Sequence, residues 1–267
     1  MTRSSLHLND SSSDNRVPRA VQGLTVAILA GGIGSRLRQV IQDRSKVMAP
    51  VHGVPFLTYV LEQISQWGIS RVVLCTGVLA ESISSCYGSS YRAMDISYSC
   101  EPHPLGTAGA LRNAMGYFPT FPILVMNGDS FFDVAIDQFL HWHRIQGSSA
   151  SIALAKVEQA ERFGVVHLDT HHGLTQFVEK GRETGPAWVN AGVYLLEQAF
   201  LESIPPRQCS SLEYEMFPQW IARGIYGYPS EGRFLDIGIP STYRMAEEFF
   251  PSPPRYDLSP VVAEVGG

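Results

Sequence analysis

The apolar residues of the first half of the chain fall in short unbroken runs separated by helically spaced ones. LTVAILA (Leu24–Ala30) is an apolar run closed by glycines, the pattern of a strand buried on both faces. From Pro55 to Gly68, Leu57, Val60, Leu61 and Ile64 stand at i, i+3, i+4 and i+7, one face of a helix that Gly68 stops. RVVLCTG (Arg71–Gly77) repeats the buried-strand pattern, Asp95–Cys100 gives a weaker third strand and PILVMNGD (Pro122–Asp129) a fourth. Thr107–Tyr117 reads as a helix with Thr107 as its N-cap, and Asp137–Gln146 as another. Strand and helix alternating over short connections predict an α/β fold with a Rossmann-like, mostly parallel sheet flanked by helices. After residue 150 the pattern changes. Ser151–Val157, Gly164–Leu168, Leu174–Glu179 and Val189–Leu195 read as strands with little helix between them. A helix over Ser211–Arg223, a short strand at Arg233–Asp236 and a helix over Pro240–Phe250 follow. The expectation is one domain over 23–250 with a mixed-sheet second half. It lies between a polar lead-in, 1–22, expected to be disordered, and a Pro-rich tail, 251–267.

Composition narrows the function classes. A net charge of −5 over 267 residues argues against nucleic acid as partner but leaves room for a local positive site. No stretch approaches the ~18 apolar residues of a membrane span, and the start lacks the apolar core of a secretory signal. These features imply a cytoplasmic protein away from the membrane; assembly with further copies of itself stays open. Cys75, Cys86, Cys100 and Cys209 form no CxxC pair and read as small buried hydrophobes. His141, His143, His167, His171 and His172 show no metal-ligand spacing and read as solvated.

The stretch LAGGIGSRLRQVIQDRSK (Leu29–Lys46) carries the candidate chemistry: glycines at the end of a buried strand, then an Arg and a Lys. In open α/β sheets ligands bind beyond the carboxyl ends of the strands, where this turn and the Asn127-Gly128-Asp129 corner fall. It is not a Walker A loop, because no Lys-Ser/Thr pair follows the last glycine. Nor is it a dinucleotide fingerprint, because Leu37 stands where the third glycine belongs and VVLCTG ends without an acid.

AGGIGSRL…SKVMAPVHGVPFLTYVL is followed in order by EPHPLGTAGAL (Glu101–Leu111), VMNGD (Val125–Asp129), FGVV (Phe163–Val166), FVEK (Phe177–Lys180), WVNAGVYLL (Trp188–Leu196) and FLDIGIP (Phe234–Pro240). This series resembles the sugar-1-phosphate nucleotidyltransferases. The resemblance implies attack of a sugar-1-phosphate oxygen on the α-phosphorus of a nucleoside triphosphate, with pyrophosphate leaving. Such transfers are catalysed mainly by positioning and cations. It assigns Arg36 to the triphosphate and leaving pyrophosphate, and Lys46 to the α-phosphate and incoming sugar phosphate. Asp129 and Asp236 would hold Mg²⁺. The base would lie against Leu29, Ala30, Gly31 and Gly32 and the loop with Glu101, Gly106 and Thr107. Gly164, Glu179, Lys180 and Asn190 would take the sugar phosphate. Two residues depart from the family pattern: Ser35 replaces the commoner Thr, and Ser45 the usual Pro, which leaves the Lys46 loop less preorganised. LRQVIQDRSKVMAPVHGVPFLTYVL and EKGRETGPAWVNAGVYLL are most similar to bacterial D-glycero-D-manno-heptose-1-phosphate guanylyltransferases, implying GTP. The residues themselves leave UTP, CTP and dTTP open, as well as a non-catalytic nucleotide-binding regulator. A glycosyltransferase with Asp-x-Asp is disfavoured, since Ser130 and Phe131 follow Asp129.

Overall fold

A computed structural model describes residues 19–32 and 45–254. A helical turn, α1 (Arg19–Gln22), leads into β1 (Thr25–Leu29); the hairpin β2 (Pro50–Val51) and β3 (Val54–Pro55) precedes α2 (Phe56–Gln66) and β4 (Arg71–Thr76). Then come α3 (Ala80–Tyr87), β5 (Ser90–Tyr91), β6 (Met94–Cys100), α4 (Gly106–Asn113), β7 (Ile123–Asn127), β8 (Ser130–Phe132) and α5 (Ile136–Gln146). The second half is β9 (Ala150–Val157), β10 (Val165–Leu168), β11 (Leu174–Val178), β12 (Ala187–Leu196), α6 (Gln198–Glu202), α7 (Phe217–Trp220), β13 (Tyr226–Ser230), β14 (Phe234–Asp236), α8 (Pro240–Arg244) and α9 (Ala246–Phe249).

The main sheet runs β11-β10-β12-β7-β1-β4-β6-β5, with β9 on the flank of β12 and β13 beside β9. Its centre is parallel, and Leu29 stands opposite both Cys75 and Asn127, so the carboxyl ends of β1, β4 and β7 meet at one edge. From β12 outward the pairing is antiparallel to β7, β9 and β10, which is the mixed half the sequence predicts. Alternate residues of β1 feed opposite faces. Val26 and Ile28 join the core under α2 and α5, and Ala27 joins the one under α4, α6 and α7. On α2, Leu57, Val60, Leu61 and Ile64 are all buried, as their spacing requires; full burial of such a side chain is worth about 1.5–3 kcal/mol.

Several elements depart from the sequence reading. Thr107 is not an N-cap: Leu105 takes that position, and the threonine lies inside the first turn of α4. Ser211–Arg223 is not one helix but a π turn (Leu212–Met216), α7 and a 3-10 turn (Ile221–Arg223). The strand β13 was hidden by Gly227 and Pro229, and α3 by having only Ile83 and Tyr87 to bury. Val21 on α1 is buried, so residues 19–22 belong to the domain and not to the lead-in. Of the cysteines only Cys75 is buried; Cys100 and Cys209 are exposed. His143 is buried too, its Nδ1 2.7 Å from Ser151 Oγ and its Nε2 3.4 Å from Glu197 Oε1. Burial lowers its pKa to about 4, so it is neutral and not on a solvated face. No helix among the described residues is long and apolar enough to cross a membrane.

Candidate active site

A cavity of about 650 Å³ opens at the carboxyl ends of β1, β4 and β7. Leu29, Gly31, Gly32, Glu101, Gly106 and Thr107 all line it. Ala30 does not. It is buried behind the turn with its N–H on the Cys75 carbonyl at 2.8 Å, and it fixes the turn. Gly31 leaves room for Glu101: a Cβ there would sit 2.8 Å from its Oε1, and the carboxylate would have to move. Gly106 is required twice over, by φ +71 and by the Ser210 carbonyl oxygen 2.5 Å from where its Cβ would be. Glu101 Oε2 accepts from the Leu105 N–H at 3.0 Å, leaving Oε1 toward Gly31. Burial raises the pKa of its carboxyl. Val78, on the same wall, is 78% exposed, an apolar surface that no periodicity in the sequence had marked.

Where the cavity meets the rest of the cleft stand the charged residues. Lys46 opens a 3-10 turn (Lys46–Met48), and its Nζ lies 2.5 Å from Asp129 Oδ2. Ser45, in the usual proline position, is buried at φ −56, close to the angle a proline ring would impose, and its hydroxyl donates to the Ala30 carbonyl at 3.3 Å. A hydrogen bond thus does part of the ring's work. Asp129 and Asp236 are brought together by pairing of β8 with β14: Asp236 lies opposite Ser130, and the Ile237 N–H reaches the Asp129 carbonyl at 3.0 Å. Asp236 Oδ1 accepts from the Gly238 N–H at 2.6 Å. Its pKa is raised, first by burial and then by the charge of Asp129, against the pull of Lys46 and Lys180. Among the described residues no group of three or more His, Cys, Asp or Glu side chains is placed to hold a metal. Two crowded carboxylates do suit an ion such as Mg²⁺ that takes its other ligands from water and substrate phosphates. Arg36 lies outside the described residues.

The residues expected to take the sugar phosphate also come together. Gly164, Glu179, Lys180 and Asn190 line a second cavity of about 200 Å³, which shares Asn127 with the first. A third, of about 540 Å³, is bounded by Gly32, Lys46, Asp129, Lys180 and Asp236 and connects the other two. Asn190 is aimed by a register shift in β12 between Asn190 and Tyr194, where Gly192 takes φ +75. Its Oδ1 accepts from the Gly192 N–H at 2.9 Å and its Nδ2 donates to Tyr194 Oη at 2.9 Å. Glu213 and Tyr214 enter the same cavity from the π turn. The sequence reading missed both, because a π turn leaves no period in the apolar pattern.

The fold and this cleft define a class. Residues 25–252 match the nucleotidyl transferase family, and the chain belongs to it as a nucleotidyltransferase. It is 33% identical over 222 residues to the D-glycero-alpha-D-manno-heptose 1-phosphate guanylyltransferase of Aneurinibacillus thermoaerophilus, covering 83% of this chain and 96% of that one. It is 32% identical over 228 residues to the mannose-1-phosphate guanylyltransferase of Mycobacterium tuberculosis, covering 84% of this chain and 64% of that one. The crystal structure of HddC from Yersinia pseudotuberculosis complexed with GMP-PN superposes with a TM-score of 0.76 at 31% identity, over 85% of this chain and 99% of that one.

Proposed function

We propose that this chain transfers a guanylyl group from GTP to a sugar 1-phosphate, D-glycero-D-manno-heptose 1-phosphate before mannose 1-phosphate, giving a GDP-sugar and pyrophosphate. The observation that carries the reading is the meeting of a nucleotide-sized cavity and a smaller polyol-sized one at Lys46, Asp129, Lys180 and Asp236. Two phosphates that repel each other must be brought together there. In this reading a sugar phosphate oxygen forms the new bond to the α-phosphorus as the bond to the β-phosphate oxygen breaks. Lys46 stands where the two anions converge, Lys180 neutralises the sugar phosphate and Arg36 steadies the leaving pyrophosphate. Asp129 and Asp236 would hold Mg²⁺, which supplies further charge neutralisation to the phosphates.

The guanine preference is supported by Glu101. One carboxylate oxygen is committed to Leu105, and the other is turned toward the glycine turn in the wall of the nucleotide cavity. A carboxylate accepts only, and guanine presents adjacent N–H and NH₂ donors on its Watson–Crick edge. Val78 gives the ring an apolar contact. The relatives named guanylyltransferases point the same way. The test is pyrophosphate release from GTP, ATP, UTP, CTP and dTTP with each sugar phosphate in magnesium. GTP is expected to have the highest kcat/KM. Preference for another base by more than about tenfold, or about 1.4 kcal/mol in transition-state binding, overturns the guanine assignment.

A further inference from the structure

Glu213 stands in the wall of the second cavity. It is half-buried on the π turn, and Ser211 holds that turn by accepting from the Glu213 and Tyr214 N–H groups at 3.2 Å each. Its Oε2 accepts from Thr107 Oγ1 at 3.0 Å and from Ser211 Oγ at 3.0 Å. Among the described residues its Oε1 has a single, long partner, the Tyr194 hydroxyl at 3.4 Å. That phenol is fully buried, already accepts from Asn190 and has only one proton to give. One carboxylate oxygen is therefore saturated, while the other retains acceptor capacity within the wall of the sugar cavity. Lys180 and Asp236 occupy both this cavity and the connecting one, so the phosphate end lies on their side. Glu213 is absent from the connecting cavity and stands apart from that end.

We propose that Glu213 is a specificity-determining residue that reads a sugar hydroxyl through Oε1, resting on the sugar-phosphate reading above. Thr107 fastens the same carboxylate to the first turn of α4, beside the nucleotide cavity, and so holds Oε1 at a fixed place relative to the nucleotide. The Thr107 hydroxyl in turn accepts from the Leu212 N–H at 2.8 Å, which pins the π turn to α4. A hydroxyl bonded to a carboxylate is a charge-assisted pair, and losing it changes binding by roughly 10- to 100-fold.

The experiment compares wild type with Glu213→Gln, using GTP, mannose 1-phosphate and a set of monodeoxy mannose 1-phosphates. The variant is expected to raise KM for mannose 1-phosphate by roughly 10- to 100-fold while KM for GTP changes less than about twofold. One deoxy analogue should lose a similar factor with wild type and little more with the variant. Equal rises in both KM values, meaning general loosening, overturn the assignment, and so does no change in either. If Glu213→Gln does not fold, the deoxy set on wild type decides alone: no analogue losing more than about threefold overturns it. If wild type releases no pyrophosphate from any pair, the transferase reading fails. Calorimetric binding of mannose 1-phosphate then tests Glu213 separately, with binding weakened by Glu213→Gln as the supporting result and equal or undetectable binding as the contrary one.

Discussion

Replacing Lys46 with methionine removes one charge from the centre of the cleft and keeps the length of the buried stem. Lys46 is 13% exposed and its Nζ lies 2.5 Å from Asp129 Oδ2. The variant therefore leaves Asp129 and Asp236 without their nearest cation, at the point where the proposed reaction would bring two phosphates together. Two unit charges about 4 Å apart interact by about 4 kcal/mol at an effective dielectric of about 20. Loss of a preorganised partner of a developing anion typically costs about 10²–10³ in kcat, or about 2.7–4 kcal/mol. The two figures agree, so Lys46→Met should lower kcat by roughly 10²–10³. Lys46 lines the charged end of the larger cavity, and Leu29, Gly31, Glu101 and Thr107 elsewhere in its wall are unchanged, so GTP affinity should fall less than about tenfold. Lys46→Arg should restore little, because Nζ is seated against Asp129 Oδ2 at 2.5 Å and a longer, planar guanidinium cannot put its charge at the place of a compact ammonium. Steady-state pyrophosphate release gives kcat and calorimetry gives the GTP dissociation constant. A kcat for Lys46→Met within about threefold of wild type refutes the placement of this ammonium at the reacting phosphates.

Asp236→Asn should abolish most activity yet leave the melting temperature equal or higher. Burial and Asp129 disfavour the charged form, and an amide oxygen can still accept from the Gly238 N–H; a clear fall in melting temperature contradicts this. Gly106→Ala should destabilise by about 2 kcal/mol or more, from the left-handed φ and from the Ser210 carbonyl, itself fixed by the Ala108 and Gly109 N–H groups. Calorimetric unfolding within about 1 °C of wild type contradicts it. Burial brings the His143 pKa down to about 4 from an ordinary 6.5, so the unfolded chain binds more protons between these pH values. Its contribution is complete above pH 6.5 and is lost as pH falls toward 4, by about 3 kcal/mol at most. Urea unfolding at pH 7 and pH 4.5 should show a smaller loss for His143→Asn than for wild type, and equal losses contradict the assignment.

The parallel half was legible because burial on both faces leaves unbroken apolar runs. β1, β4 and β7 each appear as one, and α2 declares itself by its period. Lys46, Asp129, Asp236, Lys180 and Asn190 were legible through motif resemblance, and pairing of β8 with β14 then gave a physical reason for two carboxylates 107 positions apart to meet. What stayed hidden was set by tertiary context. Thr107 resembled an N-cap in isolation, but its hydroxyl is engaged by Leu212 and Glu213, more than a hundred residues away. The π turn that delivers Glu213 and Tyr214 has neither helical nor strand periodicity. The burial of His143 depends on Ser151 and Glu197 from other elements, which no local pattern announces.

The most direct measurement follows the α-phosphate. GTP labelled there is incubated with magnesium, the purified chain and D-glycero-D-manno-heptose 1-phosphate or mannose 1-phosphate, and the products are separated by mass and label. The account predicts a labelled GDP-sugar formed in step with unlabelled pyrophosphate, one for one, and only when the sugar phosphate is present. Label appearing in GMP or GDP whether or not sugar phosphate is added, or remaining in GTP with every sugar phosphate, contradicts it.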